Sequence, residues 1–571
     1  MPPFPSFLRS TAAALTLWLL VTPNPAMPAS REPVRSRHGM VGTAEPHATR
    51  TGISILQQGG NAVDAAVAVG FTLAVTFPEA GNLGGGGFMV LRLADGRETT
   101  IDYREMAPGR AHRDMFLDEA GRPVAERSRA GPLSAGVPGS VAGLAFAQQR
   151  YGRLPLRTVM APAIALARDG FGVPRRLAES IHAARDLLGR FPASASIFLR
   201  PDGTALREGD RLVQPDLART LDLIAGHGPD AFYRGPIANL VADEMERTGG
   251  LIDKADLAAY RPAERPPVTG RFRGHRIVSM PPPSSGGIGL IQLLNILEAY
   301  PLAEYGQNSS RTVHLMVEAQ RRVYADRSKW LGDPAFSRVP VAGLLSREYA
   351  AALRAGISET RATPSEDVRP GTPTDFEPSD TTHYSVVDAE GQAVATTTTL
   401  NGTFGSGQVV TGAGFLLNNE MDDFSARPGS PNMFGLLGGE ANAVAPGKRM
   451  LSSMTPTLVT REGRTVLVLG SPGGGRIITT VLQVLLNVLE HGFDVQEAVD
   501  APRFHHQWQP DVIRLERVGF PHDVVDALTA MGHRTEVRQD MGDVHIIRID
   551  PLSGWRYGAS DPRLDGLTLG Y

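Results

Sequence analysis

Thr381 opens a run of strand-forming residues, Thr382-His383-Tyr384-Ser385-Val386-Val387, directly after a stretch rich in Ser, Thr, Pro, Asp and Glu. A second strand pattern covers 392–400, with Asp388-Ala389-Glu390-Gly391 between the two. A three-residue loop with glycine in the left-handed position is a favoured hairpin connection, and its register sets Thr381 opposite Thr399. A threonine hydroxyl is a weak nucleophile that needs a base beside it. A free α-amine, with a pKa of about 7.7–8.0, supplies one near neutral pH. That amine exists only if the Asp380–Thr381 bond is cut. The same hydroxyl can attack the preceding carbonyl, giving an ester that water opens. On the hairpin pattern alone, a solvated threonine-rich hairpin is the favoured account of these residues.

Acyl transfer also needs an oxyanion site. Gly470-Ser471-Pro472-Gly473-Gly474-Gly475 lies between a strand pattern, Thr465 to Leu469, and a helix starting near Arg476. Backbone N–H groups at such a junction suit a developing oxyanion. The same loop could bind phosphate or only turn the chain. Other chemistries are excluded by what is missing. The chain has no cysteine, which removes a thiol nucleophile, a disulfide framework, Cys-ligated zinc and iron–sulfur ligation. It has no G-x-S-x-G, no H-E-x-x-H and no P-loop. Gly84 to Gly87 follows a helical pattern rather than a strand, against a dinucleotide fingerprint. His505 and His506 are sequence neighbours that point different ways, which favours structure over metal ligation.

The frame for these residues is long. In 571 residues, 57 Lys and Arg stand against 60 Asp and Glu, a formal charge of −3 that gives no electrostatic case for nucleic acid or an anionic membrane. Arg9, the apolar run Thr11 to Val21 and the small residues to Ala29 have the layout of a secretory signal over 1–29, too short to span a bilayer. From 46 to about 355 the pattern is mostly helical. Ala65 to Phe77 reads as a buried helix, Pro162 to Gly170 ends in a glycine stop, and Asp216 to Ile224 and Val313 to Trp330 are amphipathic. A hairpin, Phe88 to Leu93 and Thr99 to Arg104, interrupts it at Asp95-Gly96. Residues 358–380 read as a flexible exposed linker, and 381–571 as alternating strands and helices.

The sequence resembles the γ-glutamyltranspeptidase family. The likeness is carried by Thr381 to Val387, Leu417-Asn418-Asn419-Glu420-Met421-Asp422-Asp423-Phe424, Leu451-Ser452-Ser453-Met454 and Gly470 to Gly474. Gly60 to Ala66, Asn82 to Phe88 and Asp102-Tyr103-Arg104-Glu105-Met106-Ala107-Pro108 add to it, so that it runs from about residue 37 to Tyr571. The resemblance implies an α+β N-terminal-nucleophile (Ntn) hydrolase fold, an αββα four-layer sandwich. It would be formed by a large subunit, 30–380, and a small subunit, 381–571, cut from one precursor. It implies Thr381 as nucleophile, Thr399 as its supporting hydroxyl, and Gly473 and Gly474 as the oxyanion hole. Arg104, Ser452 and Ser453 match the residues that hold a glutamyl α-carboxylate; Asn401, Glu420 and Asp423 match those that hold its α-amine. A zwitterion needs both signs of charge, and arginine's planar fork suits a carboxylate.

The implied activity is that of a periplasmic or secreted γ-glutamyltransferase and glutathione hydrolase, with amino acids or dipeptides as acceptors and with no metal or organic cofactor needed. One rival is an acylase for another amide, such as a β-lactam side chain. Another is an uncut, non-catalytic solute-binding protein of the periplasm. Pro428 to Gly435 resembles a lid over the glutamyl pocket, in which the position of Phe434 often carries a tyrosine able to bond Asn401. Phenylalanine cannot make that bond: either the lid opens more and hydrolysis gains over transfer, or ring packing alone holds the loop.

Overall fold

The computed structural model describes residues 30–373, 383–539 and 541–571. The expected signal sequence, Asp380 and Thr381 lie outside the described residues. Two seven-stranded antiparallel sheets form the centre. In one, Tyr384–Val387 and Ala393–Thr399 stand side by side, flanked by Met40–Thr43 and Gly86–Arg92. The other holds Thr457–Arg461 and Arg464–Leu469 between His275–Ser279 and His545–Ile549. Both sheets therefore mix strands from before and after residue 380.

Side chains alternate across each strand. Val394 joins Tyr384 and Val386 in a core made with the helices Pro46–Gln57, Ala62–Thr76 and Leu156–Asp169. Ala393 and Ala395 turn the other way, to meet Leu458, Val468 and Ile547 of the second sheet. A third core packs the helices Gly286–Leu297, Ser310–Trp330 and Ile477–Leu489 on the outer face of that sheet. Helix, sheet, sheet, helix is the expected αββα sandwich. All residues of Ala62–Thr76 are buried, which explains a helix apolar on every side. No helix among the described residues is long and apolar enough to cross a membrane.

The hairpin register is the expected one, with Tyr384 opposite Thr396 and Val387 opposite Ala393. Gly391 takes φ 82°, and Asp388 Oδ1 accepts from the N–H groups of Glu390 and Gln392 at 3.0 Å each. Three readings need correction. The helical stretch contains a hairpin, Val268–Phe272 with His275–Ser279, whose outward arginines and short length hide its alternation. Residues 400–456 hold neither an α-helix nor a paired strand; asparagine side chains bond backbone there in place of a ladder. Residues 358–373 are irregular and largely exposed, yet they are pinned rather than loose. Thr363 N–H donates to Glu318 at 3.0 Å, Ser365 N–H to Asp511 at 2.8 Å and Gly371 N–H to Asp326 at 2.8 Å.

Candidate active site

The strand Ala393–Thr399 ends at a cavity of about 160 Å³ lined by Thr399, Asn401, Glu420, Asp423, Phe434, Ser452, Gly473 and Gly474. Most of the expected site residues are thus brought to one place from five segments. Thr399 Oγ1 accepts the N–H of Asn401 at 2.7 Å, which bends the chain at once after the strand. Asn401 takes φ 74°, a left-handed conformation that asparagine tolerates better than most residues.

The glycine loop follows Arg464–Leu469 and leads through a single tight turn into Ile477–Leu489. Gly474 is required twice over. Its φ is 57°, and a Cβ there would lie 2.6 Å from the Phe434 ring. Gly473, at φ 132°, also needs glycine's freedom.

Arg104 and Ser453 are not part of the lining. Arg104 is fully buried, and its fork is engaged by Glu420 and by Asp423, the latter at 2.7 Å, with Glu105 3.6 Å away. One guanidinium therefore serves three buried carboxylates. Both oxygens of Glu105, Oε2 of Glu420 and Oγ of Ser453 have no hydrogen-bond partner. Burial raises the pKa of all three carboxyls against the lowering effect of Arg104, and Glu105 is pushed up to about 7. With three carboxyl groups around one guanidinium, a cation entering beside Glu420 and Asp423 would favour their ionised forms and be held by them.

The segment over the cavity is tied down without a tyrosine. Asn432 Nδ2 donates to Asp423 at 2.9 Å, Met433 N–H to Asp422 at 2.8 Å, and Gln507 Nε2 to the Gly435 carbonyl at 2.9 Å. Asn401 Nδ2 donates to the Asn419 carbonyl at 3.0 Å. Glu105, Asn432 and Gln507 are not among the residues the sequence pattern points to. Glu105 stands out only by its place beside Arg104, where it reads as a partner in a surface ion pair. No spacing singles out Gln507.

His505 and His506 serve structure. His505 bonds Thr479 at 2.8 Å and His506 bonds Asp511 at 3.0 Å. Among the described residues, His314, Glu318 and His533 have ligand atoms close enough to share an ion. Their lone pairs are already used. His314 Nε2 donates to the Ser358 carbonyl at 2.7 Å, so its Nδ1 accepts from His533 Nε2, also at 2.7 Å. His533 Nδ1 then accepts from Arg321 at 3.3 Å, and the guanidinium opposes a further cation.

The sequence profile described as gamma-glutamyltranspeptidase matches residues 48–571. The chain is 50% identical to the glutathione hydrolase proenzyme of Escherichia coli K12, over 99% of its own length and 100% of that protein's. The solved cephalosporin acylase of Bacillus halodurans superposes with a TM-score of 0.85 at 30% identity, covering 96% of this chain and 98% of that one. A chain of the Helicobacter pylori gamma-glutamyltranspeptidase structure gives 0.58 at 42% identity, covering 60% of this chain and 97% of its own. With this match over nearly its whole length, the chain belongs to the gamma-glutamyltranspeptidase family and has the fold of an N-terminal-nucleophile hydrolase.

Proposed function

We propose that the chain is an exported precursor that cuts itself between Asp380 and Thr381 and then works as a γ-glutamyltransferase and glutathione hydrolase. The observation that carries this reading is the cavity itself. It joins Thr399, three buried carboxyl groups (Glu79, Glu420 and Asp423), a serine and two conformationally unusual glycines at the end of one strand.

In this mechanism the Thr381 amine takes the proton of its own hydroxyl, and the oxygen attacks the γ-carbonyl of glutathione. The N–H groups of Gly473 and Gly474 receive the oxyanion. The C–N bond breaks, and cysteinylglycine leaves with the proton. Water, or the amine of an amino acid or dipeptide, then opens the ester. Glu420 and Asp423, with Asn401, hold the α-ammonium; Ser452 and Ser453 receive the α-carboxylate, with Arg104 fixing the pocket's carboxylates. After cutting, the two parts remain a heterodimer because each sheet contains strands of both. The H. pylori chain, which matches only 60% of this sequence while covering 97% of itself, supports a molecule built from separate chains. The periplasm or the exterior is the expected place of work.

The likeness to a cephalosporin acylase gives a second reading, an acylase for another amide. Glu420 and Asp423, with Glu79 also in the lining, favour a donor that carries an ammonium. Thr381→Ala tests the primary reading. The variant should run as a single uncut chain on a denaturing gel and release no glutamate from glutathione. Two fragments from the purified variant, without added protease, would remove Thr381 as the agent of cutting.

A further inference from the structure

Outside the small cavity lies a much larger basin of about 1380 Å³. The two share Phe434, Gly473 and Arg476, so the oxyanion loop forms part of the wall between them. A γ-glutamyl group seated in the small cavity, with its carbonyl at Gly473 and Gly474, directs the rest of its substrate into this basin. An acceptor reaches the ester from the same side.

The basin is lined by six arginines, Arg176, Arg476, Arg514, Arg517, Arg538 and Arg563. Arg563 is held by Glu516 and Asp561, and Arg538 by Glu536 at 2.8 Å. The others make no ion pair within 4 Å among the described residues, although Glu79 attracts Arg176 and Glu536 attracts Arg514 from farther off. Arg476 Nε reaches the Gly473 carbonyl at 3.4 Å, Arg514 reaches the Gln507 side chain at 3.2 Å, and Arg176 keeps a buried Nε without a partner. Arg517 is exposed at the rim. Asp543 is the one carboxylate among the described lining residues, and it is bonded to His545 at 2.9 Å. Burial, and after it the charge of Arg514, lowers the pKa of Arg476; burial and then Arg538 do the same to Arg514. The cations press on one another, and a concave wall concentrates their field.

Resting on the function proposed above, we infer that this basin is the subsite for the leaving and accepting half of the substrate. It selects γ-glutamyl peptides and acceptors that carry two or more carboxylates. Free arginine forks match carboxylates in geometry as well as charge. A chain of γ-linked glutamates offers one carboxylate per residue, which fits a row of unneutralised arginines better than a neutral amide does.

The test compares kcat/KM for γ-glutamylglycine, with one leaving-group carboxylate, and for a γ-linked triglutamate, alongside γ-glutamyl-4-nitroanilide, whose leaving group is uncharged. At low ionic strength the triglutamate should exceed γ-glutamylglycine by about ten-fold, and the advantage should shrink in high salt as the charges are screened. Arg514→Gln with Arg517→Gln should bring the ratio near one, with the anilide rate kept within about two-fold; the paired lysine variant should restore the preference. If the double variant does not fold, Arg517→Gln alone and the salt dependence of the unsubstituted enzyme carry the same prediction. An unsubstituted enzyme without preference, or a ratio indifferent to salt and to both substitutions, overturns the subsite. An unsubstituted enzyme inactive on the anilide overturns the parent function, and the subsite with it.

Discussion

The buried cluster around Arg104 and the buried cluster around Arg321 use the same residue types and reach opposite states. Around Arg321, the charges balance. Arg321 and Arg322 meet Glu318, and Arg321 meets Asp511 at 2.8 Å, while Thr363 Oγ1 donates to Glu318 at 2.7 Å. The carboxylate oxygens there are all bonded, and the cluster ties the 358–373 segment to residues 511 and 533. Around Arg104 one cation meets three carboxylates, and four oxygens lack a partner. A buried polar group without a partner costs about 1–3 kcal/mol. Other buried polar atoms without a partner lie elsewhere, among them Nε of Arg449, Arg503 and Arg556; what sets this cluster apart is that Glu420 and Asp423 reach the cavity lining. Charge is paired throughout the clasp and left unpaired beside the site.

Matched substitutions should separate the two. Glu318→Gln leaves Arg321 and Arg322 short of their partner, so stability should fall by about 3–5 kcal/mol. The mature enzyme's kcat/KM should stay within about two-fold when assayed well below its melting temperature. A loss of activity without a fall in Tm would break the contrast. Arg104→Lys keeps the charge but loses the fork that spans Glu420 and Asp423. With cutting intact, kcat/KM for a γ-glutamyl anilide should drop by about 1.5–3 kcal/mol, ten-fold to more than a hundred-fold. An unchanged value would remove Arg104 from the site.

The clasp also predicts a pH dependence. Burial, with the nearby Arg321 charge, lowers the pKa of His533 to about 3 and that of His506 to about 4. Unfolded histidine titrates near 6.5, so between about 6.5 and 4 the unfolded chain binds protons that the fold refuses. Stability is therefore fully present above about pH 6.5 and falls with acidification, by up to about 1.4 kcal/mol per pH unit for each histidine. His533→Gln should lower Tm at pH 7.5 yet flatten its decline towards pH 5; an equally steep decline would remove His533 from the clasp. The smallest effect is at the lid. Phe434→Tyr adds a hydroxyl worth about 0.5–1.5 kcal/mol if it finds Asn401. The transfer-to-hydrolysis ratio should then rise at most about twelve-fold. Asn401 already donates to Asn419, and ring packing on Gly474 already holds Phe434, so an unchanged ratio would assign the lid to Asn432 and Gln507.

Local rules made part of this legible in sequence. Gly391 and a three-residue loop set the register that brings Thr399 to its place, and a glycine run between strand and helix marks Gly473 and Gly474. The 400–456 segment was not legible in that way. Its shape depends on single side-chain bonds, such as Asn418 Nδ2 to the carbonyls of Gly84 at 2.7 Å and Gly136 at 2.8 Å, which have no period. Nor does adjacency to Arg104 reveal that Glu105 is buried with both oxygens free, since that follows from packing against segments hundreds of residues away.

The central claim is that surplus negative charge in the cavity recognises an α-ammonium. Its most direct measurement compares γ-glutamyl-4-nitroanilide with glutaryl-4-nitroanilide, the same amide without the amine. The account predicts a preference for the γ-glutamyl compound of about a hundred-fold or more in kcat/KM, as expected for a charge-assisted bond of up to about 3 kcal/mol, and its collapse in Asp423→Asn. Equal or faster turnover of the glutaryl compound would contradict it and turn the reading to the acylase.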